Sequence, residues 1–156
     1  MSIKNSIVQI ELDDAGVRRR PEVEQERAIA IFDILEENSF APIGDDKGPY
    51  ALHLSVEDNR LILDIRTQDG NPLQVVALSV KPFHSIIKDY FLVCESYFDA
   101  IRKSTPAQIE AIDVGRRGLH NEGSTLLMER LSDKIALDFD TARRLFTLVC
   151  TLHIRG

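Results

Sequence analysis

The chain has 156 residues, 44% hydrophobic and 28% charged, with a net charge of −6. That is the size and balance of one globular domain, and it excludes a disordered chain. The apolar uncharged run at residues 145–154 is about half of the ~20 residues a membrane helix needs, and the acidic balance opposes long-range attraction to nucleic acid or anionic lipid. The first residues lack the apolar segment of a secretory signal, so a cytoplasmic setting is expected.

Along the chain, residues 3–12 end in Val8, Ile10 and Leu12 alternating with polar residues, the period of a half-buried strand. Residues 21–38 predict a helix: Pro21 suits a first helical position, the early glutamates favour the positive end of the dipole, and Ala28, Ile31, Phe32 and Leu35 form its inward stripe. Residues 40–49, with two prolines and two glycines, predict an irregular surface loop. Three strands follow, over 50–57, 60–67 and 73–80. Asp58 and Asn59 form a tight hairpin between the first two, and the third is rich enough in valine and leucine to be buried. His53, Asp64 and Arg66 fall on the face expected to be wet.

Residues 82–103 carry half of the ten aromatics at helical spacing, which predicts the main packing surface against the sheet. Thr105 and Pro106 open another helix, containing Ile109 and Ile112. Residues 124–134 again read as helix and 135–139 as a short extended piece. From Asp140, a capping residue, the final segment satisfies both periods: Ala142, Leu145, Phe146, Val149 and Leu152 read as helix, and residues 146, 148, 150, 152 and 154 read as strand. The strong start signal favours helix. The order of elements predicts one α+β domain over residues 1–156: a small, mostly antiparallel sheet of one N-terminal strand plus a three-stranded meander, packed by about four helices, most of them C-terminal.

Chemistry concentrates in residues 115–123, GRRGLHNEG, with three glycines, two arginines, a histidine, an asparagine and a glutamate. Each glycine costs a helix interior about 1 kcal/mol relative to alanine. The block is therefore either a glycine-punctuated turn whose amides and arginines hold an anion, or a continuous helix whose glycines admit a close neighbour. The helical alternative pairs Asp113 with Arg117 and leaves Arg116, His120 and Glu122 free. His120 and Glu122 are then the catalytic candidates, since histidine titrates near neutrality and a neighbouring acid tunes it. Arg143 and Arg144, in the first turn of the last helix where the dipole disfavours cations, mark a second candidate anion site unless Asp138 and Asp140 neutralise them. The candidate ligand-binding set is Arg116, Arg117, His120, Asn121, Arg143 and Arg144.

Arg18, Arg19 and Arg20 form a third basic cluster, read as solvated loop because no aromatics accompany it. Cys94 and Cys150 each sit in an apolar periodic segment, which predicts buried reduced thiols. Neither they nor the four histidines show a zinc spacing, and no phosphate-loop, dinucleotide or hydrolase motif is present, so no metal or cofactor is expected.

GRRGLHNEG and the ending DFDTARRLFTLVCTLHIRG resemble a family of uncharacterised alphaproteobacterial proteins over nearly the whole chain. The resemblance implies a bacterial cytoplasmic setting and a stand-alone domain, and supplies no activity. The expected function is non-catalytic binding or protein interaction, the partner being another protein, a second copy in a homodimer, or a small anion; nucleic acid and membrane are not expected. The alternative is an anion-binding or hydrolytic enzyme for a small phosphorylated or carboxylated metabolite, acting through Arg116, Arg117, His120 and Glu122.

Overall fold

The structure is a computed structural model in which residues 3–13 and 21–153 are described. The Arg18, Arg19 and Arg20 cluster lies outside them. The elements are β1 (Ile7–Asp13), α1 (Pro21–Glu36), β2 (Phe40–Pro42), β3 (Tyr50–Glu57), β4 (Arg60–Thr67), β5 (Pro72–Ser79), α2 (His84–Lys103), α3 (Pro106–Leu131), β6 (Ile135–Leu137) and α4 (Phe139–His153). The fold is α+β as expected, with a four-stranded sheet in the order β1-β3-β4-β5 and a two-stranded pair of β2 and β6.

The sheet is mixed. β3, β4 and β5 form the antiparallel meander, while β1 runs parallel to β3 because α1 carries the chain back between them. Asp58 and Asn59 both adopt positive φ, 51° and 62°, giving the expected two-residue hairpin. One face buries Tyr50, Leu52, Leu54, Leu61, Leu63, Ile65 and Val76 against the helices. The other holds partly exposed pairs, His53 with Glu11 at 3.6 Å and Arg66 with Asp64 at 2.8 Å. Residues 73–80 were expected to be a buried strand, yet β5 ends the sheet and leaves Val75 62% exposed. An edge strand has a neighbour on one side only.

β1 departs from strict alternation. Ile7 and Ile10 are buried and Val8 points outward, because the register with β3 shifts between Ile7 and Gln9. Buried Asn38 explains the shift: its Oδ1 accepts from Ile7 N–H at 2.7 Å and its Nδ2 donates to Ile7 C=O at 3.0 Å. The same Nδ2 lies 2.7 Å from the Ile34 carbonyl, fastening the end of α1 to the strand. The loop expected at 40–49 begins with a strand instead. Phe40 is fully buried edge-on to Tyr50, and Phe40–Pro42 pairs with Ile135–Leu137, a partner far along the chain.

The helical layer also corrects two expectations. On α1 the buried positions are Val23, Ala30 and Ile34, whereas Phe32 and Leu35 are exposed. Arg27 continues the inward stripe, its Nε donating to Thr151 Oγ1 at 3.2 Å. The aromatic face of α2 packs chiefly on α3, and the helix lying over β3 is α4. The reason is visible in α4 itself. Ala142, Leu145, Phe146, Leu148, Val149 and Cys150 are all essentially inaccessible, so the apolar face of this helix is wide, leaving only the Arg143, Arg144 and Thr147 side polar, and it takes the central place. That wide apolar face is also why residues 145–154 satisfy two periods at once. The cap of α4 is Asp138, whose Oδ1 accepts from Thr141 N–H at 2.9 Å, and not Asp140.

α3 opens on the expected Thr105–Pro106 pair with a reciprocal capping box: Gln108 N–H donates to Thr105 Oγ1 at 3.3 Å, and Thr105 N–H to Gln108 Oε1 at 3.0 Å. It then runs unbroken through residues 115–123. Cys94 and Cys150 are free and buried, and burial pushes the Cys94 thiol up to about 11, away from reactivity at neutral pH. No helix among the described residues is long and apolar enough to cross a membrane.

Candidate functional site

Because α3 does not break, Arg116, Arg117 and His120 lie on successive turns of one rigid element. Gly123 lets α4 approach: a Cβ there would overlap the Phe146 ring. Just before this seam His120 Nε2 meets Thr147 Oγ1 at 2.7 Å, and the imidazole is sandwiched between Tyr90 and Phe146 at centroid distances of 5.4 and 5.2 Å. Ser124 completes the chain. Its hydroxyl donates to the His120 carbonyl at 2.6 Å and its oxygen lies 3.5 Å from Nδ1.

Around this contact the two arginine pairs converge. Arg116, Arg117 and His120 of α3, Arg143, Arg144 and Thr147 of α4, Tyr90 of α2, and Glu26, Ile29, Ala30 and Asp33 of α1 line one groove of about 420 Å³. Two readings of separate anion sites thus become one. Arg116 is not free: Asp113 accepts from its Nε at 3.1 Å while its guanidinium stacks on the Tyr97 ring at 4.5 Å. Arg117 Nε reaches the same carboxylate at 3.2 Å, as expected. Asp113 therefore fixes both guanidiniums from behind. Arg144 donates to the Glu37 carbonyl at 2.9 Å, and among the described residues its other N–H donors meet no further hydrogen-bond partner. Arg143 meets Asp140 only at 3.8 Å with both side chains exposed, a weak pair.

Electrostatics follow from this crowding. Burial, then Arg143 and Arg116, lower the His120 pKa to about 4, so the ring is neutral at physiological pH. Burial raises the Glu26 carboxyl, against the pull of Arg116. Among the described residues no group of histidine, cysteine and carboxylate side chains is arranged to hold a metal.

Asn121 and Glu122 stand apart. Both are exposed on α3 and neither lines the groove. Conversely, residue reading missed Thr147, Ser124, Glu26 and Asp33. A signal for Thr147 exists in the echo between Arg-Arg-x-x-His at 116–120 and Arg-Arg-x-x-Thr at 143–147. Glu26, Ile29, Ala30 and Asp33 share a helical stripe, but nothing local shows what that stripe faces.

The molecule is thus an α+β protein whose helical layer gathers two arginine pairs and a desolvated histidine in one groove. The chain belongs to the family described as Uncharacterised protein family (UPF0262), which matches residues 4–155. It is 64% identical to the UPF0262 protein of Paramagnetospirillum magneticum over the full length of both chains. It is 60% identical to that of Agrobacterium fabrum over 96% of each chain, and 61% identical to that of Rhodospirillum rubrum over 96% of this chain and 93% of the relative. No solved structure matches it significantly.

Proposed function

We propose that the protein is a cytoplasmic binding protein for a small anion bearing a carboxylate or phosphate, held in the groove between α1, α3 and α4. The observation that carries this reading is the meeting of Arg116, Arg117, Arg143 and Arg144 on one concave surface beside His120. Arginine forks suit both anions, and a partly enclosed groove strengthens each charge-assisted hydrogen bond. Binding is favoured over hydrolysis because an imidazole with a pKa of about 4 is a weak base near neutrality, and Glu122 lies outside the groove.

Titration calorimetry with sulfate, phosphate, small dicarboxylates and amino acids tests the proposal. Arg143→Gln is expected to weaken the tightest of these about tenfold, the scale of one hydrogen bond to a charged group. Arg130→Gln, away from the groove, is expected to leave affinity unchanged. Equal affinity in wild type and Arg143→Gln, or no binding at all, would refute the reading.

A second reading, self-association, is favoured by one observation. Ile29, Phe32 and Leu35 of α1 are 51%, 63% and 42% exposed, and a two-fold dimer needs only one such self-complementary stripe. Light scattering is expected to give a dimer mass for wild type and a monomer mass for Phe32→Lys. A monomeric wild type at its highest soluble concentration removes this reading.

A further inference from the structure

The groove is not uniformly basic. Its α1 wall carries Glu26 and Asp33 on one stripe, facing the four arginines supplied by α3 and α4. Opposed charges that close would pair, yet among the described residues neither carboxylate makes an ion pair with any of these arginines. The arginines are held instead by Asp113, by the Glu37 carbonyl and, weakly, by Asp140. The two walls stay apart across the opening. Glu26 also lines the neighbouring cleft of about 310 Å³, where Glu22, Glu95 and Asp99 outnumber the single cation Arg102, so the acidic character of this wall continues beyond the groove.

Resting on the anion-binding reading above, we propose that the ligand is a zwitterion. Its carboxylate or phosphate meets Arg116, Arg117, Arg143 and Arg144, and an ammonium on the same molecule meets Glu26, while Asp33, two turns and about 10 Å further along α1, adds to the negative field of that wall. A plain dianion would leave two carboxylates facing its own negative charge, whereas an amino acid or amino phosphate satisfies both walls. Ile29 and Ala30, between the two carboxylates on the α1 stripe, give that wall an apolar patch against which the ligand's carbon atoms can pack. The specificity thus comes from repulsion of the unaminated analogue as much as from attraction of the aminated one. Its burial-raised carboxyl makes Glu26 the group that gains most from a nearby cation.

Matched pairs that differ only by the amine test this: aspartate against succinate, and O-phosphoethanolamine against ethyl phosphate, by calorimetry at pH 7. Wild type is expected to bind the aminated member about tenfold more tightly in at least one pair. The isosteric double variant Glu26→Gln/Asp33→Asn is expected to bring that ratio close to one, by weakening the aminated member and tightening the plain anion. Binding of succinate or ethyl phosphate with no preference for either aminated partner overturns the zwitterion assignment and leaves the anion site standing. Failure of all four probes to bind sinks the anion reading and this inference with it. The wild-type ratio is decisive by itself should the double variant not fold.

Discussion

Alanine at Gly123 is expected to destabilise the protein by about 2 kcal/mol, whereas alanine at Gly115 or Gly118 is expected to stabilise it by about 0.8 kcal/mol each. All three residues lie in one helix, so propensity treats them alike. Packing separates them. A Cβ at Gly115 or Gly118 meets nothing within 4 Å, while at Gly123 it would overlap three atoms of the Phe146 ring. That ring cannot swing aside: it is fully buried, 6.4 Å from Phe83 and 5.2 Å from His120. Overpacking a tight core costs roughly 1–3 kcal/mol and occasionally more. Leucine at Gly123 therefore has no place and is expected to prevent folding. Urea denaturation of the three alanine variants checks this, and a Gly123→Ala protein as stable as wild type would disprove the seam.

Acidification is expected to remove on the order of 3 kcal/mol of stability through His120 alone. The native imidazole titrates at about 4 and the unfolded one at 6.5, so between these values only the unfolded chain takes up the proton. The contribution is complete above pH 6.5 and is lost as pH falls towards 4. Glu26, whose carboxyl is raised from 4.5, acts in the opposite sense, because its native form takes up a proton first. Asp113, lowered by its bond to Arg116, adds losses only at more acidic pH. The difference between wild type and His120→Gln therefore isolates the imidazole: the variant should show a flatter stability profile between pH 4 and 6.5. An equally steep profile in the variant would show that another group carries the dependence. Saturating sulfate, whose charge is constant over this range, is expected to raise the His120 titration seen by NMR, since an anion offsets Arg143 and Arg116.

Much of the fold was legible because its determinants are local. Asp58-Asn59 tolerates the positive φ of a tight hairpin, Thr105-x-x-Gln108 satisfies the first amides of α3, and the alternation in β3 and β4 assigns wet and dry faces. The misreadings share a different cause. The outward Phe32, the edge position of β5 and the pairing of Phe40 with Leu137 depend on which distant segment arrives alongside. The candidate site was legible to the same degree: Arg116, Arg117, His120, Arg143 and Arg144 could be picked out, but only as two unrelated sites.

By itself the sequence determined an α+β chain with no membrane-spanning run, its capped helices and hairpin, and the residues that carry its chemistry, because caps, turns and periodicity act within a few residues. Only the tertiary structure decided that Gly115, Gly118 and Gly123 remain helical, that α4 occupies the centre, and that α1 brings Glu26 and Asp33 opposite four arginines. Those outcomes depend on burial of apolar surface between segments as many as about a hundred residues apart, and no local pattern encodes which partner fills the space beside a given side chain.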